Sequence, residues 1–368
     1  MPSTSRRAQA RIAVSLFAAL GAQVGTFALL TPDLAASRGL ELAQLGGALA
    51  VLAAAMVATL LLAGPRVDRW GPRPLLLCGL AALSVAFALL AAAEDRAALV
   101  PTLVVYGFAC GCLDLGANAV GAAYERVHAV RAMVGLHAGV SGAAALFALL
   151  AAAVAVTAGH RVAFAAMAAG YAVLVPLVAG APLPAHVPAP AHSRLALLRL
   201  PGVALAVAVC TLCFFGDGAL EGFSAVLLRA DAGTLGTGAS LAGFYAASLA
   251  GRLAFARVRD EGAVLTASGL LAAAAMVALL VARSPALAAA ALLVVGFALA
   301  PVVPTALSIA GRSASGAGVA LVTTVGYSAF VLGPPAVGAL AGATSLRLAL
   351  GTVVVTTTAF ALLGRRAR

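Results

Sequence analysis

Six side chains with titratable or amide groups sit inside long apolar runs, at spacings suited to holding a polar solute or carrying a proton. Asp114 and Asn118 stand four residues apart in Leu113-Asp114-Leu115-Gly116-Ala117-Asn118, which puts a carboxyl and an amide on one helical face. Asp217 and Glu221 repeat that spacing. Gln23 offers a further amide, and His137 an imidazole able to exchange protons near neutral pH. A charged group at mid-bilayer costs about 2.5 to 3.5 kcal/mol on insertion scales, so acids in such runs usually face a cavity or a partner and mark a path for solutes or ions. The same residues have plainer uses. Asp114 with Asn118 can bind helices together, Glu221 can reach the interface near Arg229, and His137 can pack or gate. Arg126 and Arg229 fall near span ends, which leaves these acids without an arginine at their own depth.

The elements that must carry these residues follow from composition. Of 368 residues, 63% are hydrophobic and 10% charged, and the mean hydropathy is +1.09. Soluble chains are about 45 to 50% apolar even with glycine counted, and about 25% charged, so too little polar surface remains here for a water-facing particle. A spanning helix needs about 20 apolar residues. Twelve such runs can be read, at 12–31, 44–64, 75–93, 98–123, 133–157, 162–181, 202–227, 237–256, 263–282, 286–311, 318–341 and 347–363. The first, after Arg6, Arg7 and Arg11, is longer than the roughly 7 to 15 residues of a secretory core and reads as a retained span.

The net charge is +11 and every basic residue is arginine. A nucleic-acid surface would gather that charge beside aromatic rings; here it follows the loops. With both termini in the cytoplasm, 17 arginines fall inside, Arg252 among them, and six outside: 38, 96, 161, 229, 283 and 347. That asymmetry predicts a multi-pass membrane protein, and abundant alanine with no lysine points to a GC-rich bacterial genome, hence a bacterial cytoplasmic (inner) membrane. It leaves no place for nucleic acid as a partner. The five cysteines lie in predicted spans, and Cys210 and Cys213 read as small buried hydrophobes rather than ligands. His186 and His192 lack carboxylate or thiolate company, so neither a metal nor another cofactor is expected.

The chain looks duplicated. Gly107-Phe108-Ala109 recurs as Gly296-Phe297-Ala298, and Gly79-Leu80 as Gly269-Leu270, in the same order. Two halves in the same sense form a parallel repeat. Prolines 182, 184, 188, 190 and 201 break the helical pattern between them. The reading is therefore an N-terminal half at 1–181, a cytoplasmic linker at 182–201 and a C-terminal half at 202–368.

After the second span comes Gly64-Pro65-Arg66-Val67-Asp68-Arg69-Trp70-Gly71-Pro72-Arg73. It resembles the signature loop of the major facilitator superfamily at Gly64, Asp68, Arg69, Gly71 and, one place displaced, Arg73. The second copy keeps Gly251 and Arg252, with Phe255 where the carboxylate would stand. Glycine permits the tight reversal, and a carboxylate can sit against a helix amino end. A positive-inside anchor is the simpler use of the same loop.

The resemblance implies an all-α membrane protein of twelve transmembrane helices, arranged as two six-helix parallel-repeat halves. In that fold, Asp68 would latch near Gly316 to Gly318 and spans 1, 4, 7 and 10 would line a central cavity. The run from Leu113 to Ala119, Glu125-Arg126, Leu136-His137-Ala138-Gly139-Val140-Ser141-Gly142, Glu221-Gly222-Phe223-Ser224-Ala225 and Gly333-Pro334-Pro335 resemble the fucose-permease-related branch. That branch implies proton-coupled uptake of sugars or related solutes, with acids in spans 4 and 1. Span 1 here has Gln23 and Thr26 but no carboxylate, so coupling falls to Asp114, Asp217 or Glu221. Phe27, Phe214, Phe215, Phe223 and Tyr327 are the aromatic candidates for stacking a solute, and Pro301 and Pro304 permit bending of span 10.

Taken together, these features predict a monomeric secondary active transporter in the bilayer, working by alternating access on a small polar solute, a sugar among the candidates, and on protons. Asp114 and Asn118 would bind solute or proton, and Asp217 and Glu221 would supply a second titratable site. No catalytic spacing suggests an enzyme. One rival is a multidrug or metabolite exporter, whose usual glycine-proline pair is missing between Val134 and Leu150. The other is a membrane sensor or enzyme that transports nothing.

Overall fold

The computed structural model describes residues 3–92, 95–130, 132–185, 197–255, 258 and 260–365, leaving aside the side chains of 3–5, 64–69, 134, 311 and 314–320. Among the described residues every regular element is a helix: α1 Ser3–Ser37, α2 Leu42–Trp70, α3 Pro72–Ala92, α4 Arg96–His128, α5 Met133–Ala158, α6 His160–Ala179, α7 Pro201–Phe255, α8 Glu261–Val281, α9 Pro285–Leu299, α10 Val302–Ala343 and α11 Leu346–Gly364. Helices satisfy all their backbone groups internally, which lipid requires. Where the chain leaves the apolar runs, polar side chains take over the first amide groups: Asp95 accepts from Ala97 N–H at 2.9 Å, Asp260 from Ala263 at 2.8 Å, and Ser284 and Ser345 from Leu287 and Leu348 at 3.3 Å each.

Eleven segments among the described residues are long and apolar enough to cross a membrane. The difference from twelve lies in α7, whose 55 residues hold both the seventh and eighth spans. Its helical dihedrals fail once, at Gly233 (φ 64°, ψ −175°), so α7 is two arms, 201–232 and 234–255, joined at a residue in a conformation that glycine tolerates. Arg229 clips the bend by donating to Thr234 Oγ1. The tenth span is interrupted before its end. Pro301 and Pro304 lack N–H groups, so the α9 ladder stops at Leu299, and α10 then runs through the loop expected near 312–317.

The described chain clusters into two compact units, residues 1–38 with 51–189, and residues 39–50 with 190–368. In unit 1, α1 packs on α5, and α3 on both α4 and α6, around Phe17, Phe87, Tyr106 and Phe164. In unit 2, the α7 arms pack on α10 and α9, and α8 on α11, around Phe223 and Phe360. Lipid supplies no hydrophobic drive between helices, so small residues and close backbones hold the units together. The repeated Gly-Phe-Ala shows this in both. A Cβ on Gly107 would stand 2.0 Å from the Leu52 carbonyl oxygen, and one on Gly296 would stand 2.4 Å from that of Phe244. The Gly79 and Gly269 pair differs: the first faces α4, the second α11.

Candidate functional site

In unit 1, Asp114 and Asn118 meet on α4 as their spacing predicts. Asn118 Nδ2 donates to Asp114 Oδ1 at 3.1 Å and to its main-chain oxygen at 2.9 Å, and both residues are half-buried. An adjacent face of α4, at Cys112, Leu115 and Ala119, packs on Leu75, which fixes the rotation of the helix. Gln23 lies elsewhere, in the interior. Its Oε1 accepts from Tyr106 Oη at 2.6 Å and from Cys110 Sγ at 3.4 Å. Tyr106 in turn contacts Phe27 (4.7 Å between centroids) and Phe87 (5.3 Å), and Phe87 stacks on Tyr171, whose hydroxyl donates to Ala19 O at 2.7 Å. Thr26 Oγ1 is buried in the same helix with no hydrogen-bond partner. His137 is half-buried, edge-on to Phe17 at 5.1 Å. The structure thus brings Asp114 and Asn118 together and ties Gln23 into an aromatic core.

In unit 2, the bend at Gly233 lays the second arm of α7 along the first. Asp217 and Glu221 lie one turn apart on the first arm, within electrostatic reach of each other. Cys213 Sγ is 3.8 Å from Asp217 Oδ2. On the second arm, Arg252 lies within electrostatic range of Asp217, and Tyr245 within that of Glu221. Arg252, half-buried in the last turn of α7, corrects the expectation that no arginine stands near these acids. Tyr245 and Arg252, seven residues apart, share a helical face, and that register was the signal available for finding them. Phe214 and Tyr327 pair at 5.2 Å between centroids, while Phe223 is wholly buried.

The signature loop is partly described. The side chains of Gly64, Asp68 and Arg69, and those around Gly316 to Gly318, lie outside the described residues, and so does the expected latch. Gly71 turns the chain from α2 to α3 at φ 73°, which accounts for glycine there. Arg73 donates to the carbonyls of Val178 (3.0 Å), Ala179 and Ala181 (2.6 Å), capping the end of α6. Glu125 caps the amino end of α5, accepting from Ala132 N–H at 2.5 Å and Met133 N–H at 2.8 Å, because no side chain at the Ala132 cap can do so. At the start of α8, Glu261 pairs with Arg312, whose guanidinium is raised above its ordinary value by that hydrogen-bonded carboxylate. His186 and His192 lie outside the described residues. Among those described, no group of three or more histidine, cysteine, aspartate and glutamate side chains is arranged to hold a metal.

Against known proteins, the Major Facilitator Superfamily matches residues 12–334. An uncharacterized MFS-type transporter of Yersinia pestis is 27% identical over 368 residues, covering 96% of this chain and 94% of the relative. Among solved structures, the nucleoside transporter NupG superposes with a TM-score of 0.78 at 12% identity, over 98% of this chain and 99% of that one. A bacterial homolog of the human lysosomal transporter Spinster gives 0.77 at 14% identity, over 100% and 98%. The human organic anion transporter MFSD10 gives 0.69 at 20% identity, over 99% and 100%. At these identities the likeness is one of fold.

Proposed function

The chain belongs to the Major Facilitator Superfamily and is a multi-pass membrane transporter rather than an enzyme, and from that premise we propose that it moves a small polar solute across a bacterial cytoplasmic membrane in exchange for the free energy of a proton gradient. Alternating access, the rocking of two repeat halves about a site near the midplane, is the mechanism this reading entails. The observation that carries the reading is the pair Asp217 and Glu221. Two carboxyls one turn apart inside an apolar helix, with a guanidinium and a phenol reaching them from the second arm, form a group that can change its proton content without leaving lipid depth. Asp114 and Asn118 add a carboxyl-amide pair of the kind that hydrogen-bonds hydroxyl groups, and the resemblance to the fucose-permease-related branch favours a sugar. Both termini lie in the cytoplasm on this reading, and a single chain is the working unit.

The test is uptake by the full chain in proteoliposomes under an imposed pH gradient, with labelled sugars beside nucleosides, organic anions and cationic drugs. Accumulation of a sugar above its equilibrium level, collapsing on addition of a protonophore, is the expected result. Uptake indifferent to the gradient, or confined to cationic drugs, overturns it.

A further inference from the structure

We propose that Gln23 determines specificity by meeting the solute as a hydrogen-bond donor only, because Tyr106 and Cys110 occupy its acceptor. The site then takes solutes with a hydroxyl, carbonyl or ring oxygen at that point and refuses an ammonium group. This assignment rests on the reading of the chain as a carrier of polar solutes, not on proton coupling, and adds to that reading a residue and a rule of selection.

The geometry begins with two glycines on α1. A Cβ on Gly21 would stand 2.0 Å from Val140 O, and one on Gly25 would stand 2.1 Å from Ala144 O, so this stretch of α1 lies flush against α5. Gln23 is two residues from each glycine, about 200° around the helix at roughly 100° per residue, which turns its side chain away from α5. It meets α4 instead. Tyr106 Oη stands 2.6 Å from Gln23 Oε1 and 3.4 Å from the Gln23 main-chain oxygen, and Cys110 Sγ stands 3.4 Å from the same Oε1. A main-chain oxygen can only accept, so the Tyr106 hydroxyl donates toward both oxygens and Oε1 is an acceptor. Tyr106 and Cys110, four residues apart, present their donors from one face of α4.

A ring of contacts that returns to α1 fixes the amide in this setting. Tyr106 touches Phe27 and Phe87; Phe87, on α3, stacks on Tyr171 of α6 at 5.7 Å and 3°; and Tyr171 Oη donates to Ala19 O at 2.7 Å, one turn before Gln23. Four helices of unit 1 thus hold one side chain. With its oxygen engaged, the amide nitrogen is the group left for a ligand. Gln23 Nε2 makes no hydrogen bond among the described residues and, unlike Thr26 Oγ1, is not sealed off, although Gln23 as a whole is only 9% exposed. Thr26, three residues on and near the same side of α1, is buried with its hydroxyl unpaired. A nearly buried polar group is costly to leave unpaired, and a solute oxygen supplies the acceptor. An ammonium brings donors alone, so donor would face donor.

Melting shifts of the purified full chain, measured without a gradient, test this with aldohexoses beside counterparts carrying an ammonium in place of one hydroxyl at a time. In the wild type, the best-bound hexose should have a Kd at least about tenfold below that of its counterpart at one position, the scale of one hydrogen bond exchanged for an unpaired donor. Gln23→Glu, whose side chain only accepts, should level or invert that ratio. Tyr106→Phe keeps the ring packing and releases Oε1, so the ratio should shrink by about threefold or more, whereas Cys110→Ser should keep it. An unchanged ratio in folded Gln23→Glu overturns the proposal. So does a wild type that discriminates at no position or that no hexose stabilises. If Gln23→Glu does not fold, Tyr106→Phe decides: a merely structural tyrosine would lower the melting temperature and leave the ratio unmoved, which also overturns the proposal. Because binding is read without a gradient, uptake indifferent to the gradient counts against the proposed function and not against this assignment.

Discussion

The two units use the same outer fastening and different interiors. At the start of α6, Arg161 donates to the carbonyls of Ala91 (2.7 Å) and Ala92 (3.2 Å), which end α3. At the corresponding place in unit 2, Arg347 at the start of α11 donates to Leu279 (3.3 Å), Leu280 (3.0 Å) and Ala282 (3.1 Å), at the end of α8. Gly107 and Gly296 make the same close approach to a neighbouring carbonyl. The polar interiors diverge. In unit 1 the carboxyl of Asp114 is hydrogen-bonded to an amide on its own helix, whereas unit 2 carries two carboxyls, a guanidinium and a phenol on the arms of α7. Residues that hold helices together are thus alike in the two units, while the polar residues differ.

If the charge-handling role has settled in unit 2, Asp217→Asn combined with Glu221→Gln is the most damaging change. Gradient-driven accumulation should fall by about 10²-fold or more, the scale on which positioned proton-transferring groups act, while the protein stays folded. The measurement is uptake against a pH gradient beside counterflow without one. Counterflow should survive, and its loss together with accumulation would assign the pair to solute binding instead.

The shared scaffold should break equally. Gly107→Leu and Gly296→Leu each force a side chain into a backbone carbonyl, and overpacking of this kind costs about 1 to 3 kcal/mol, occasionally more. Thermal unfolding in detergent should show matching losses for the two variants. A large loss for one and none for the other would mean that the Gly-Phe-Ala repeat has kept its packing role in one unit alone.

A smaller effect is expected in unit 1. Asp114→Asn preserves shape and a hydrogen bond to Asn118 but removes one charge, so the half-saturating solute concentration should rise by about tenfold, near the 1.4 kcal/mol that a charge-assisted hydrogen bond supplies. The pH dependence of uptake should stay as in the wild type. A change in proton dependence equal to that of the Glu221→Gln variant would erase the division of labour between the units.

Much of this division was legible in the residues. The apolar runs located the spans because lipid leaves a chain little choice but helix, and the i, i+4 spacing put Asp114 and Asn118 in contact before any coordinates. What escaped was contact between distant segments. The nearness of Arg252 to the acids needs the bend at Gly233, which no residue pattern announced. Gln23, a candidate by its depth in span 1, accepts from Tyr106, eighty-three residues away, a contact that no spacing announces. Helix breaks were legible as residue types, glycine and proline, but not as places where spans join, so spans 7 and 8 run on as one element and span 10 is cut early.

The finest distinction between the units lies in their matched arginines. Arg161→Gln and Arg347→Gln each free two or three helix-ending carbonyls, and each should lower stability by about 1 to 2 kcal/mol, the net worth of a few hydrogen bonds from a charged donor to groups that water can partly reach. Arg347 also pairs with Asp231 at 3.7 Å, with side-chain exposures of 40% and 60%. An exposed pair of that length contributes about 0 to 1 kcal/mol and is screened by salt. The loss in Arg347→Gln should therefore be slightly larger at low ionic strength than at high, where the carbonyl contacts alone remain. Melting curves of the wild type and this variant across a salt series would show it. A loss that does not change with salt would place the whole effect in the carbonyls of Leu279, Leu280 and Ala282 and not in the carboxylate.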